Sequence, residues 1–373
     1  MSKKIVINIL RILTGLVFIF SSVVKGVDPL GTAYKIEDYL IAYHISGLTP
    51  AALLFSVLLC TLEFTVGIML LLKLRMRFTA WVLAGIMAFF TLVTLYDALY
   101  SPVPDCGCFG DFLKITNWQT FYKNIVIDAF VVVIFINRNN YKEYFSIKTQ
   151  WIIAWAFAVL FALFCVRNYR HLPAIDFSEY KTGNKLYIDN PKPVECYLTY
   201  QNKDTKEKKE YLSPNYPFDD SVWMEKWQFV SQRIVDPNQY PGKNLVIVDT
   251  IGNNITYSVI RNKDYQYIIN IYDLEKVNIE ALKKLDALAK ELEQKNNIST
   301  IVLAAGDEHK FTEFKAKYNI SLPFYSGDDV ILKIMVRSNP GLMIIKDGEV
   351  LKKYHYRDIP SYDKLNQWMK KQQ

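Results

Sequence analysis

Five long apolar runs occupy the first 170 residues, at about 5–25, 51–72, 78–100, 119–137 and 150–167. A helix rises 1.5 Å per residue, so each is long enough, or nearly so, to cross a hydrocarbon core of about 30 Å. The fifth is the shortest, but Trp151, Trp155 and Phe157 keep it strongly apolar. Met1-Ser2-Lys3-Lys4 before the first run also fits a signal peptide. That run is too long for one, and no small-x-small cleavage site follows. The pattern predicts a helical membrane bundle.

Beyond residue 170 the pattern changes twice. Residues 171–242 are rich in Tyr, Pro, Asn and Lys. Within them, 194–200 and 210–212 alternate around a polar stretch at 202–209, which predicts a hairpin. Pro214, Pro217, Pro237 and Pro241 punctuate the rest. From 243, the runs 245–248 and 255–260 flank Gly252-Asn253-Asn254 and predict a second hairpin. There follow a strand (265–272), a helix (279–296), a strand (300–304), a helix (308–318) and a short helix (330–336). Strands at 342–346 and 350–354 bracket Asp347-Gly348, and a helix at 361–371 ends the chain. Strands alternating with helices predict an α/β sheet with helices on its faces. The expected divisions are 1–140 (four-helix bundle), 141–170 (fifth transmembrane helix), 171–242 (β-rich connector) and 243–373 (α/β domain).

Charge sharpens this division. Residues 1–170 carry 15 Lys/Arg against 9 Asp/Glu, whereas residues 171–373 carry 29 against 28. The basic excess therefore sits in the apolar half and is read as membrane topology, not as a nucleic-acid surface. Lys3, Lys4, Arg11, Lys73, Arg75, Arg77, Arg138, Lys142 and Lys148 fall on one side of the membrane. On the other side, Lys25, Lys35, Lys114 and Lys123 are diluted by acids. The positive-inside rule predicts a cytoplasmic N-terminus, with everything after Arg167 outside, which in a two-membrane bacterium is the periplasm.

The densest chemistry is Asp105-Cys106-Gly107-Cys108-Phe109-Gly110-Asp111, between the third and fourth segments and on the outer side. Gly107 and Gly110 permit a backbone tight enough to bring two sulfurs one residue apart into bonding distance. A disulfide in so small a ring is strained and readily reduced, which suits thiol–disulfide exchange. Two plainer readings stand beside it. One is a structural turn. The other is a metal site, which two thiolates alone leave short of ligands. His44, His171, His309 and His355 offer no paired spacing with them.

Asp105-Cys106-Gly107-Cys108-Phe109-Gly110 resembles the hallmark of MauE-type membrane proteins. Residues 11–25 and Leu62-Glu63-Phe64-Thr65-Val66-Gly67 resemble the first two helices of the related DoxX family. The resemblance covers about residues 5–140 and implies a four-helix bundle. MauE is associated with methylamine utilisation and with disulfide formation in a periplasmic dehydrogenase subunit, and DoxX relatives are linked to quinol oxidation. By resemblance this implies a quinone-coupled thiol oxidase, comparable to DsbB or vitamin K epoxide reductase. Those enzymes carry further paired cysteines, whereas here Cys60, Cys165 and Cys196 have no neighbouring cysteine in the sequence.

Glu63 and Asp128 sit near the middles of segments two and four, and Asp97 lies near the outer end of segment three. A carboxylate in hydrocarbon costs several kcal/mol, so each is expected to face the interior, be protonated or find a partner. Lys25 lies at the outer end of segment one and Arg11 nearer the inner end, and a carboxylate–Lys25 pair near the outer face would poise a quinone head group or relay protons. Plain helix–helix hydrogen bonding is the alternative. Cys60 lies three residues before Glu63 and is either a resolving thiol or a small core residue.

Ser338-Asn339-Pro340-Gly341 and the two strands after it resemble the cis-proline end of a thioredoxin-like domain covering about residues 243–373. Active members open the helix after the central strand with Cys-x-x-Cys. Here that place reads Tyr272-Asp273-Leu274-Glu275-Lys276-Val277-Asn278, so the domain is expected to perform no dithiol exchange. Pro340 is then a retained fold element or part of a substrate-docking edge. The whole order resembles the proteins named DoxX family in the Bacteroidetes. The expectation is an inner-membrane redox protein in which Cys106 and Cys108 exchange disulfides with a periplasmic thiol protein and pass electrons to quinone. Its partners are that protein and membrane lipid, with no nucleic acid and no metal. The alternative is a non-catalytic, membrane-anchored binding or assembly factor.

Overall fold

The computed structural model of the protein describes residues 3–103, 107–108, 110–113, 115–142 and 144–372. Helices α1 (Lys3–Val27), α2 (Pro29–Ala42), α3 (Ala52–Leu72), α4 (Met76–Tyr100), α5 (Asn117–Ile136) and α6 (Ile147–Arg170) form the N-terminal bundle. All but α2 belong to spans long and apolar enough to cross a membrane. In hydrocarbon an apolar run can satisfy its own amides only as a helix, which is why these sequences fold this way. Large apolar side chains such as Leu92, Ile152 and Trp155 point away from the protein, as a lipid-facing surface requires. The bundle's own core is small and includes Phe18, Leu70, Leu83 and Ile134.

α1 is the central helix, packed against α3, α5 and α6. Two glycines let it approach α3 closely. A Cβ on Gly67 would lie 2.7 Å from Ile19 and 2.9 Å from the Gly15 carbonyl oxygen, and one on Gly15 would lie 3.1 Å from the Gly67 oxygen. Small residues at such a crossing bring backbones together where lipid offers no hydrophobic drive. One turn away, Arg11 donates to the Leu70 and Leu71 carbonyls at the end of α3, a cation on the negative pole of a helix.

α2 lies between the expected first and second segments and was not foreseen. Its signal is local. Asp28 caps it, accepting from Gly31 N at 3.0 Å, and Pro29 supplies a pre-set first turn.

The C-terminal half holds two sheets. The smaller is antiparallel, in the order β2 (Lys208–Leu212), β1 (Glu195–Asn202), β3 (Trp227–Val235), with the short helix α7 (Ser221–Lys226) before its third strand. The expected hairpin is thus present, and β3 was hidden among the prolines. The larger domain runs α8 (Thr256–Ile260), β4 (Tyr265–Ile271), α9 (Ile279–Asn296), β5 (Thr300–Ala304), α10 (Glu308–Tyr318), β6 (Phe324–Ser326), α11 (Asp329–Met335), β7 (Gly341–Lys346), β8 (Glu349–His355) and α12 (Tyr362–Lys370). Its sheet order is β6-β5-β4-β7-β8, with β4, β5 and β6 parallel and β7 and β8 antiparallel to their neighbours. This is a thioredoxin-like fold, with a cis peptide at Asn339-Pro340 just before β7. Alternation along β4 feeds two cores. Tyr267, Ile269 and Ile271 join α9 and α12 on one face, and Ile268 joins α11 on the other. Tyr180, Leu186 and Tyr187 of the expected connector belong to that second core.

The expected second hairpin is present only as a tight turn in which Val248 bridges Asn254 antiparallel, and its second arm is corrected. Residues 256–260 form α8, not a strand. Val248 N and O bond to Ser326 O and N at 3.0 and 2.9 Å, so the backbone at 248 is paired with β6. Asn254 then turns the chain by accepting from Thr256 N, and Thr256 Oγ1 accepts from Ile247 N.

His355 ends β8 and is buried. Burial, aided by the Arg357 charge, pushes its imidazole down to about 4 from an ordinary 6.5. The folded state therefore holds it neutral while the unfolded chain binds a proton, so stability is lost as pH falls through the window from 6.5 to 4. The loss is on the order of 1 kcal/mol per pH unit. Thermal unfolding of the full chain between pH 7 and 4 is expected to show that slope, and His355→Gln is expected to flatten it.

Candidate functional site

The site begins with two charges that the bundle cannot leave apart. Lys25, near the end of α1, is 6% exposed, and Glu63, midway along α3, is 2% exposed. Lys25 Nζ donates to both Glu63 carboxylate oxygens at 2.5 Å. Ser21, one turn back on α1, places its hydroxyl 3.3 Å from Glu63 Oε2 and 3.0 Å from the carbonyl oxygen of Cys108. The cysteine turn is thereby joined to the ion pair. Gly107 and Gly110 take φ of +64° and +50°, as the tight turn requires. Lys35 of α2 lies against Gly107, where a Cβ would sit 3.0 Å from its Cγ.

These groups line a cavity of about 380 Å³ inside the bundle. Phe18, Met87, Phe90 and Ile127 form apolar wall, while Ser21, Lys25, Glu63 and Cys108 supply polar groups. Its size falls within the range of small-molecule sites, roughly 300–1,000 Å³.

The expected site residues are only partly brought together. Lys25, Glu63 and Cys108 meet at this cavity. Asp97 is buried on α4 and accepts from Tyr39 Oη of α2 at 2.6 Å. Asp128 is half-buried and accepts from Thr91 Oγ1 at 2.7 Å, between α5 and α4. Cys106 lies outside the described residues, and with it the expected Cys106–Cys108 pairing. Cys60 and Cys165 sit together in an apolar cluster with Phe161, whose ring stacks on Phe64 at 4.1 Å. Sequence spacing joined Cys60 to Glu63 but had no means of joining α3 to α6. Ser21 and Tyr39 were missed as well, because a hydroxyl on an apolar helix carries no signal until its neighbours are known.

A second cavity, of about 500 Å³, lies between the bundle and the thioredoxin-like domain, and Gly107 and Lys35 line both. The domain turns its cysteine-less edge toward α2. Arg337, just before the cis-proline, donates from Nε to Asp28 Oδ2 at 2.8 Å. The rings of Tyr34 and Tyr272 meet edge to face at 6.3 Å, and burial, reinforced by Tyr272, raises the Tyr34 hydroxyl above its ordinary range. Burial likewise raises Glu37, against the opposing pull of Lys276 and Lys333. Pro340 stands at this edge, where Asn339 is engaged internally. Its amide donates to Asp273 O at 2.6 Å, and its carbonyl accepts from Asn278 N at 3.1 Å.

Two more ties hold the domain. His171 Nδ1 meets Asp358 at 2.8 Å, and Lys353 donates to Asp176 at 2.6 Å. Burial alone would raise the Asp176 carboxyl, but the Lys353 ammonium outweighs it and holds the group below its ordinary range. Lys353 is more deeply enclosed, and burial pulls its own value down.

The chain is thus a multi-pass membrane protein that joins a cavity-bearing helical bundle to a thioredoxin-like domain without its Cys-x-x-Cys. Residues 3–137 match the sequence model of the family described as Methylamine utilisation protein MauE, in keeping with the resemblance read from the cysteine motif. No curated protein matches the chain. Among solved structures, a peroxiredoxin-like protein from Aquifex aeolicus is 16% identical over 37% of this chain and 92% of its own, with a TM-score of 0.26.

Breaking a buried pair strands one charge, whereas removing both partners does not. Lys25→Met and Glu63→Leu are each expected to cost about 3–5 kcal/mol, and the double variant markedly less than their sum. Denaturant unfolding in detergent checks this. Arg337→Asp is expected to loosen the domain and speed proteolysis in the 171–192 segment, and Asp28→Arg in the same chain is expected to restore protection.

Proposed function

We propose that this is a bacterial inner-membrane thiol–disulfide exchange protein that helps form or mature disulfides in an envelope protein. The N-terminus is cytoplasmic, and the cysteine turn and C-terminal domain face the periplasm. That compartment permits disulfides. In the exchange, a partner's two thiols give two electrons and two protons to the Cys106–Cys108 disulfide. The partner leaves oxidised and the turn is left as two thiols.

The observation that carries this reading is a cavity shared by Cys108 and a buried Lys25–Glu63 pair. Predominantly apolar walls with a few polar groups among them fit a membrane quinone, and Ser21 and Lys25 would hold its head group. A bound quinone would supply the acceptor for the two electrons and two protons that restore the disulfide. The bundle's part is to exclude water and hold the thiol beside the cavity's polar groups. The C-terminal domain caps the turn and frames the cavity through which a partner approaches.

A second reading has its own support. The domain's cysteine-less edge is engaged with α2, which fits an anchored assembly factor whose cysteines only staple a loop. Quinone-dependent oxidation of a reduced dithiol substrate by full-length protein separates the two. Cys106→Ser is expected to abolish turnover, and unchanged turnover would remove the exchange chemistry. Mixed disulfides trapped at Cys106 or Cys108 support the first reading.

A further inference from the structure

We infer that Lys25 is a shared counter-ion, passed from the Glu63 carboxylate to the Cys108 thiolate when that thiol ionises. The inference rests on the exchange reading above and names the groups that would activate its thiol. Lys25 and Glu63 are 6% and 2% exposed and bonded to each other, so beside the cavity one buried ammonium already neutralises one buried carboxylate. A thiolate formed on half-buried Cys108 beside the intact pair would set a second anion next to one ammonium, and an unmatched charge is the costly state in such a place. Moving the thiol proton to Glu63 keeps the balance. The S–H bond breaks, an O–H bond forms on the carboxyl group, and Lys25 remains an ammonium throughout. No electron moves.

Ser21 ties the two ends of this exchange together, with its hydroxyl between Glu63 Oε2 and the Cys108 carbonyl oxygen. Lys25 and Cys108 line the same cavity. Other titratable groups surround it. Lys35 and Tyr39 come from α2, Tyr43 from just after its end, and Lys123 from α5. Cys60 comes from α3, Cys165 from α6 beside Gly26, and Asp97 stands behind Tyr39. Among the described residues, Lys25 is the cation bonded to Glu63, and Ser21 is its neutral partner.

The test measures alkylation of Cys108 in reduced full-length protein in detergent at pH 7. Iodoacetamide is the probe, forming a stable thioether as iodide leaves, and fragment-ion mapping separates Cys108 from Cys106. Lys25→Met is expected to slow the reaction about tenfold, the effect of a one-unit change in thiol ionisation. Glu63→Gln is expected to speed it by a similar factor, because Lys25 then has only the thiolate to neutralise. Opposite signs from the two halves of one ion pair are a signature that mere loosening of the bundle does not produce. Lys25→Met/Glu63→Gln strands no charge and serves where a single variant fails to fold. It is expected to react as slowly as Lys25→Met, and a wild-type rate in it overturns the inference. So do two single variants that shift the rate in the same direction or leave it unchanged. Quinone takes no part in this measurement. Opposite shifts without quinone-linked turnover would therefore sink the proposed function and leave the shared counter-ion standing.

Discussion

A lysine and a glutamate enclosed among apolar helices must meet, and the bundle is arranged around that requirement. Each charge alone would cost several kcal/mol in hydrocarbon. Their pairing sets the register of α1 against α3, since Lys25 reaches Glu63 only if the helices cross closely. Gly15 and Gly67 permit that crossing, and Arg11 secures its far end on the α3 carbonyls. Ser21 then extends the network to the cysteine turn. One electrostatic constraint thus places a thiol-bearing loop over a cavity with apolar walls.

The second organising contact is between domains. A thioredoxin-like domain normally presents its cis-proline edge and the helix start opposite it to a substrate. Here the equivalent loop lacks cysteine, and the neighbouring Arg337 is bonded to the N-cap aspartate of α2. Asn339 fills the space between that edge and the 273–278 loop. The surface has become an intramolecular contact. It stands beside the cysteine turn, because Gly107 borders both the cavity within the bundle and the one between domains.

α2 links these two themes. It brings Lys35 against Gly107, Tyr39 to Asp97, and Tyr34 and Asp28 to the C-terminal domain. Its amphipathic pattern is weak and it is too short to span a bilayer, so it stands out less than the spans around it. Its capping pair, Asp28-Pro29, was a clearer marker than its hydrophobic pattern.

Local patterns were enough for much of the architecture. Continuous apolarity marked five spans, because a backbone in lipid has few other ways to bond itself. The hydrophobic pattern marked α9, β5 and α10 to the residue, because those elements obey short-range rules. The absence of cysteine at 272–278 was likewise a fact of sequence. Pairings between distant residues were not legible. Lys25 had three candidate carboxylates and chose Glu63, while Asp97 went to a tyrosine on an unforeseen helix and Asp128 to a threonine. The 255–260 stretch reads as a strand, but only the turn before it pairs, with Val248 bridging both Asn254 and β6 while 256–260 coil into α8. In each case the deciding quantity was the position of a group far away in the chain, and only the folded arrangement supplies it.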